Sequence, residues 1–115
     1  MIGCDIIEID RVRKSYEKYG NHFLDRILSV SEQEVFKHRG ENINFLAGRF
    51  AGKEAVAKAF RTGIGATLAF TDIEIIPDPS NAPVVSIKGT PAPHIKISIS
   101  HCKEYAMAMV VITGI

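Results

Sequence analysis

The chain has 115 residues, 46% of them apolar and 23% charged, with a formal net charge of +1 at pH 7. That length suits one ordinary domain with a single core, that composition is typical of a globular protein rather than a disordered one, and the sequence carries no low-complexity tract or internal repeat. The near-neutral charge gives no argument for nucleic acid, residues 105–115 are too short an apolar stretch to cross a bilayer, and no basic segment followed by an apolar signal core opens the chain, so a cytoplasmic protein is expected.

Residues 2–9 are dense in β-branched side chains and set Ile2, Cys4 and Ile6 against Gly3, Asp5 and Ile7, which predicts a strand. Asp10 has the character of an N-cap. After it Val12, Tyr16, Tyr19 and Phe23 recur at i, i+4, i+7 and i+11 as one helical stripe that Gly20 can interrupt. Ser31 and Glu34 have capping-box spacing for a short helix closed by Gly40, and Asn44 is placed to cap the longest helix, residues 45–60. Beyond it the period drops to two. Strands are expected at residues 72–76, 84–87, 95–100 and 105–112, with turns at 79–83 and 101–104. Helices segregated from a mostly antiparallel sheet make an α+β fold, and with no linker in view residues 1–115 are expected to form one domain. Cys4 and Cys102 form no disulfide framework and lack zinc spacing, so both read as reduced, small apolar residues.

Within the longest helix Gly48, Gly52, Ala55 and Ala59 lie along one stripe. Two internal glycines cost about 1 kcal/mol each relative to alanine, so another element is expected to approach this backbone closely. On the other side Glu54, Lys58 and Arg61 fall within about 60° of one another, with Arg49 and Lys53 on a separate flank. A carboxylate beside cations on a rigid element suits a metal and phosphate site, and the same Glu54 and Lys58 spacing is equally that of an exposed i, i+4 ion pair. The turn 61–65 either offers backbone amides to a phosphate or simply ends the helix. Asp5, inside an apolar strand, calls for a metal, several donors or a cation, or is simply an edge-strand aspartate or a partner for Arg11. His101 ends a strand, where functional and silent side chains both occur. Arg11, Arg13, Lys14, Lys18 and Arg26 outnumber Glu17 and Asp25, which suits an acidic partner or a solvated helix face.

Four stretches carry a resemblance. They are Ile2-Gly-Cys-Asp-Ile6 with Glu8-Ile-Asp-Arg11, Arg26-Ile-Leu28 with Glu32 to Phe36, Phe45-Leu-Ala-Gly-Arg-Phe-Ala-Gly-Lys-Glu-Ala55, and Ser98-Ile-Ser-His101 with Glu104-Tyr-Ala106. In order and spacing they resemble the holo-acyl-carrier-protein synthase family, the small trimeric class of 4′-phosphopantetheinyl transferases, nearly end to end. The resemblance implies the fold of that class and transfer of the phosphopantetheine arm of coenzyme A to a serine of apo acyl carrier protein, in support of fatty acid biosynthesis. It implies a catalytic set of Asp5, Glu54 and Lys58, with Asp5 and Glu54 holding Mg²⁺ (Mn²⁺ able to substitute) and pyrophosphate and water completing the oxygen shell. Lys58 would contact the pyrophosphate, Arg49 and His101 the 3′-phosphate, and Thr62, Gly63 and the turn from Asn81 to Pro83 would lie along the nucleotide. Arg11, Lys14 and Arg26 would dock the acidic carrier protein. The sites would lie between subunits of a homotrimer, and the acceptor of the serine proton would be Asp5, Glu54 or a metal-bound water.

Three residues depart from the family pattern. Arg61 stands where glycine is usual, Asn81 replaces the glycine of a Gly-x-Pro turn, and Cys102 occupies a usually polar position. Asparagine accepts positive φ better than most residues. The competing classes are a non-catalytic module that binds coenzyme A or a carrier protein, and a structural oligomerisation domain. The presence of both Asp5 and Glu54 favours the transferase over either.

Overall fold

The computed structural model describes residues 1–114; Ile115, the last residue of the expected domain, lies outside the described residues. β1 (Ile2–Glu8) leads directly into α1 (Ile9–Tyr19), and Gly20, at φ 55°, breaks the chain before α2 (Asn21–Ile27). α3 (Val30–His38) and α4 (Ile43–Ala59) follow. After a 3₁₀ turn at Phe70–Asp72 come β2 (Ile73–Pro77), β3 (Pro83–Ile87), the two-residue β4 (Thr90–Pro91), β5 (Ile95–His101) and β6 (Tyr105–Ile112). The strands form two antiparallel sheets of three, ordered β1-β6-β5 and β2-β3-β4, where the sequence suggested one.

Alternation on β6 decides which way the first sheet faces. Ala106, Ala108, Val110 and Ile112 are buried, while Tyr105, Met107, Met109 and Val111 point outward. β1 runs alongside with Gly3 opposite Val110 and Asp5 opposite Ala108, so Gly3, Asp5 and Ile7 share the inner face.

α4 crosses that inner face, touching β1, β6, β5 and β2. Its small residues permit the approach. A Cβ on Gly3 would collide with the Ala55 carbonyl oxygen and sit 2.7 Å from the Ala59 nitrogen, so strand and helix meet backbone to backbone. At Gly48 the approaching group is Ile99, at 3.0 Å, and at Gly52 it is Ile75 and Ile97, at 2.8 and 3.2 Å. Gly52 is thus where the two sheets converge on the helix. Leu46, Val56, Ile73 and Ile75 are fully buried in the surrounding cores. Each stabilises the fold by about 1.5–3 kcal/mol.

Several helix starts differ from the expected ones because an earlier cap wins. Ser29, not Ser31, caps α3: its Oγ accepts from the Glu32 amide at 3.2 Å, while Glu32 Oε1 accepts from the Ser29 amide at 2.8 Å. Asn42, not Asn44, caps α4, its Oδ1 accepting from the Asn44 amide at 2.8 Å. Asp10 is no cap either. α1 begins as soon as β1 ends, which leaves Asp10 in the first helical turn, paired with Lys14 at 3.0 Å and Arg13 at 3.3 Å. Gly40, at φ 67°, does close α3. Cys4 and Cys102 are free and exposed.

Candidate functional site

Strand alternation turns Asp5 toward α4, and the helical repeat carries Glu54 and Lys58 to the same side one turn apart. All three line one cavity of 520 Å³, together with Arg11 and Glu8, over apolar walls that include Val12 and Phe50. Lys58 Nζ donates to Asp5 Oδ1 at 2.8 Å; the Asp5 side chain is 15% exposed and the Lys58 side chain 51%. Lys58 therefore pairs across to the strand rather than along its own helix to Glu54, and the partner of Asp5 is Lys58, not Arg11. Burial, and then repulsion from Asp5, pushes the Glu54 carboxyl above the usual range, with Lys58 opposing both. The hydrogen bond from Lys58 to Asp5 holds the ammonium above the ordinary lysine value.

Two carboxylates that repel one another in a cleft suit a small divalent cation, and all-oxygen donors suit Mg²⁺ or Mn²⁺. Among the described residues no group of three His, Cys, Asp or Glu side chains could hold a metal alone. The pair fits a site in which phosphate and water oxygens complete the octahedron, the usual arrangement for Mg²⁺.

A second cavity, of 270 Å³, gathers Arg49, Pro83 and His101. Arg49 is 7% exposed; its Nε donates to the Ile75 carbonyl at 3.1 Å and its guanidinium lies 4.2 Å from the centre of the Phe45 ring. Burial pushes Arg49 down to about 10, against the attraction of Glu32 and with the help of repulsion from Arg39. Thr62 and Gly63 line neither cavity. Arg61 takes the left-handed conformation just past α4, at φ 63°, and the amides of Thr62 and Gly63 both donate to the Ala57 carbonyl at 3.2 Å. The Gly65 amide donates to Leu68. Of the two readings the sequence leaves open for turn 61–65, the amides of Thr62 and Gly63 follow the one that ends the helix, and the Gly65 amide is held within the following loop. Arg61 and Asn81, the two departures from family glycines, both occupy left-handed positions, Asn81 at φ 71°.

Of the basic residues, Arg11 lines the first cavity and Arg26 an adjoining groove with Tyr19 and His22; the two hollows share Ser15 and Phe23. Lys14 stands apart from both, held by Asp10. Lys53, placed by the sequence on a flank with Arg49, is fully buried. Its Nζ donates to Glu32 Oε1 at 2.5 Å and to the Ile27 carbonyl at 2.6 Å, and Glu32 Oε2 accepts from the Ile75 amide at 2.7 Å. Sequence reasoning also passed over Arg39, which lines the second cavity.

The model of the 4′-phosphopantetheinyl transferase superfamily matches residues 1–110. The chain belongs to this family. It is 47% identical over 112 residues to a holo-[acyl-carrier-protein] synthase of Chlamydia pneumoniae, a match spanning 93% of this chain and 91% of that one. Among solved structures it resembles the Helicobacter pylori holo-[acyl-carrier-protein] synthase in complex with coenzyme A, with a TM-score of 0.88, 37% identity, and coverage of 98% of this chain and 100% of that one. The Bacillus anthracis str. Ames enzyme in complex with CoA (3′,5′-ADP) gives a TM-score of 0.82 and 43% identity over 96% of this chain and 93% of its own. The α+β family fold expected from the motifs is the fold observed.

Proposed function

We propose that this protein is a holo-acyl-carrier-protein synthase, which moves the 4′-phosphopantetheine group of coenzyme A onto a serine of apo acyl carrier protein in the cytoplasm, in support of fatty acid biosynthesis. One observation carries the reading. Asp5 from the first strand and Glu54 and Lys58 from α4 converge on a single cavity that also presents Arg11.

The reaction joins the serine oxygen to the β-phosphorus of coenzyme A, breaks the diphosphate bridge and releases adenosine 3′,5′-bisphosphate. Asp5 and Glu54 would hold Mg²⁺, or Mn²⁺ in its place, which supplies charge stabilisation at the phosphoryl oxygens when bound. Lys58, held above the ordinary lysine value by Asp5, is half exposed and would contact the pyrophosphate. The carboxylates of the cleft are the chain's own acceptors for the serine proton. Arg49, His101 and Pro83 take the nucleotide end, with Thr62 and Gly63 beside it. Arg11 and Arg26 line continuous hollows that suit an acidic carrier protein, and Lys14, on the same helix as Arg11, adds to the approaching field.

The two cavities share no lining residue, which favours sites shared between protomers. The outer face of β1-β6-β5 supports this. Ile2, Ile6, Met107, Met109 and Val111 are exposed there in facing registers, an apolar patch of the kind that marks an interface. The chain, as one catalytic domain, would assemble as a homotrimer through this face.

The test is to incubate the protein with coenzyme A, apo carrier protein and Mg²⁺ and follow the carrier by mass spectrometry. A carrier heavier by one phosphopantetheine, with adenosine 3′,5′-bisphosphate released, is expected. Tight coenzyme A binding by a folded sample without transfer would leave only a binding module. Replacing Arg11 and Arg26 with glutamate should raise the carrier KM roughly tenfold, more at low salt, and leave the coenzyme A KM unchanged. Equal rises in both would remove the docking role.

A further inference from the structure

In the first cavity one ammonium stands between two acids, Asp5 and Glu54. Lys58 follows Glu54 by four residues on α4, the favourable order for a pair along the helix, yet its Nζ crosses to Asp5 Oδ1 at 2.8 Å while the charge of Glu54 still draws it. Asp5 is its one hydrogen-bond partner among the described residues. The Lys58 side chain is 51% exposed, so its four-carbon stem has room to swing, and the bond to Asp5 can be given up without stranding a buried cation. Lys53 is the opposite case: fully buried and held by both Glu32 and the Ile27 carbonyl, it has no second position to take.

Asp5 offers two oxygens, and Lys58 engages one of them. A divalent cation held by Asp5 and Glu54 would be brought against that ammonium, in a hollow whose apolar walls, Val12 and Phe50 among them, screen charge poorly. Ammonium and divalent cation therefore compete for one carboxylate. An ammonium that leaves Asp5 remains on the cavity wall, where its charge is free for the oxygens of a diphosphate.

We propose that Lys58 is a counter-ion gate: its ammonium competes with the divalent cation for Asp5, and its release couples binding of that cation to binding of the coenzyme A diphosphate. The coupling runs both ways, since a diphosphate that draws Lys58 off Asp5 returns the full charge of the two acids to the cation. The gate rests on the transferase reading and deepens it.

The test titrates Mn²⁺ by electron paramagnetic resonance into the full chain and into Lys58→Gln, each with and without coenzyme A. Without coenzyme A, Lys58→Gln should bind Mn²⁺ about tenfold more tightly than the wild-type chain, whereas Lys58→Arg, which keeps the charge, should stay close to wild type. Coenzyme A itself should bind Lys58→Gln more weakly. One substitution then moves two affinities in opposite directions, which a general loosening of the cavity would not do. Coenzyme A should also tighten Mn²⁺ binding by a smaller factor in Lys58→Gln than in wild type. In the unaltered chain the nitrogen NMR signal of the Lys58 ammonium should move when Mg²⁺ is added, a readout that holds even where the variant does not fold. Mn²⁺ affinity that is unchanged or lower in folded Lys58→Gln, or an ammonium signal that stays put while Mg²⁺ binds, would overturn the gate alone. If the unaltered chain binds no Mn²⁺ with or without coenzyme A, the metal site of the transferase reading falls as well.

Discussion

Lys53 and Lys58 lie within two turns of each other on α4, and each pairs with a carboxylate from the first third of the chain, but their surroundings differ in kind. Lys53 and Glu32 are both fully buried, and each has a second partner, Ile27 for one and Ile75 for the other. Desolvation pushes Lys53 below the ordinary lysine value, with Glu32 opposing. Nothing in that pair is left for a ligand. Lys58 is half exposed, and its partner Asp5 shares a cavity with Glu54. A paired cation becomes part of a site when the cavity beside it has charge still to be answered, and part of the scaffold when every donor and acceptor is already met.

The largest effect that would break this comparison concerns the open pair. Asp5→Ala and Glu54→Ala should each lower metal-dependent transfer on the order of 100-fold or more, with the melting temperature preserved. Wild-type rates in either variant would take that residue out of the site. For the sealed pair the losses should reverse. Lys53→Met should cost about 3–5 kcal/mol in urea unfolding by leaving Glu32 charged and buried, while transfer per folded molecule changes little. The double variant Glu32→Gln, Lys53→Met should recover part of the stability. An unchanged unfolding midpoint, or a collapse of turnover in folded protein, would erase the distinction.

The smallest effect is in titration. Because Glu54 is held above its ordinary value, it takes up a proton earlier as pH falls, so Mn²⁺ affinity should decline while pH is still above the usual glutamate range. Asp5→Asn removes the repulsion that raises Glu54 and releases Lys58 toward it, and both changes lower its midpoint. Carboxyl NMR of the variant should show that downward move. A midpoint that stays or rises would mean the two acids do not sense each other.

What was legible in the sequence follows the range of the interaction responsible. β6 was bounded correctly because its alternation runs unbroken from Tyr105 to Ile112, and the close approach at α4 was legible because only small residues stand on that stripe. Asp5 betrayed itself as a lone charge among isoleucines. Capping at Ser29 and Asn42 was missed because Ser31 and Asn44, two residues later, satisfy the same local rule, and only packing chooses between them. Lys53 read as a flank residue because its partners, Glu32 and the Ile27 carbonyl, come from helices whose placement no local pattern encodes. Arg39 was passed over for the same reason, its place in the second cavity depending on Asn81 in a distant turn.

β1 has a further consequence, which is one of parity. Its odd-numbered residues face α4 and its even-numbered ones face outward, so a single inserted or deleted residue would exchange every side chain between the two faces. A side chain as small as that of Cys4 would then have to occupy the place where Gly3 leaves room for hydrogen alone, and the carboxylate would be delivered to a hydrophobic exterior. Length changes in this strand are tolerable only in pairs, a restriction that no substitution scan of the individual positions would reveal.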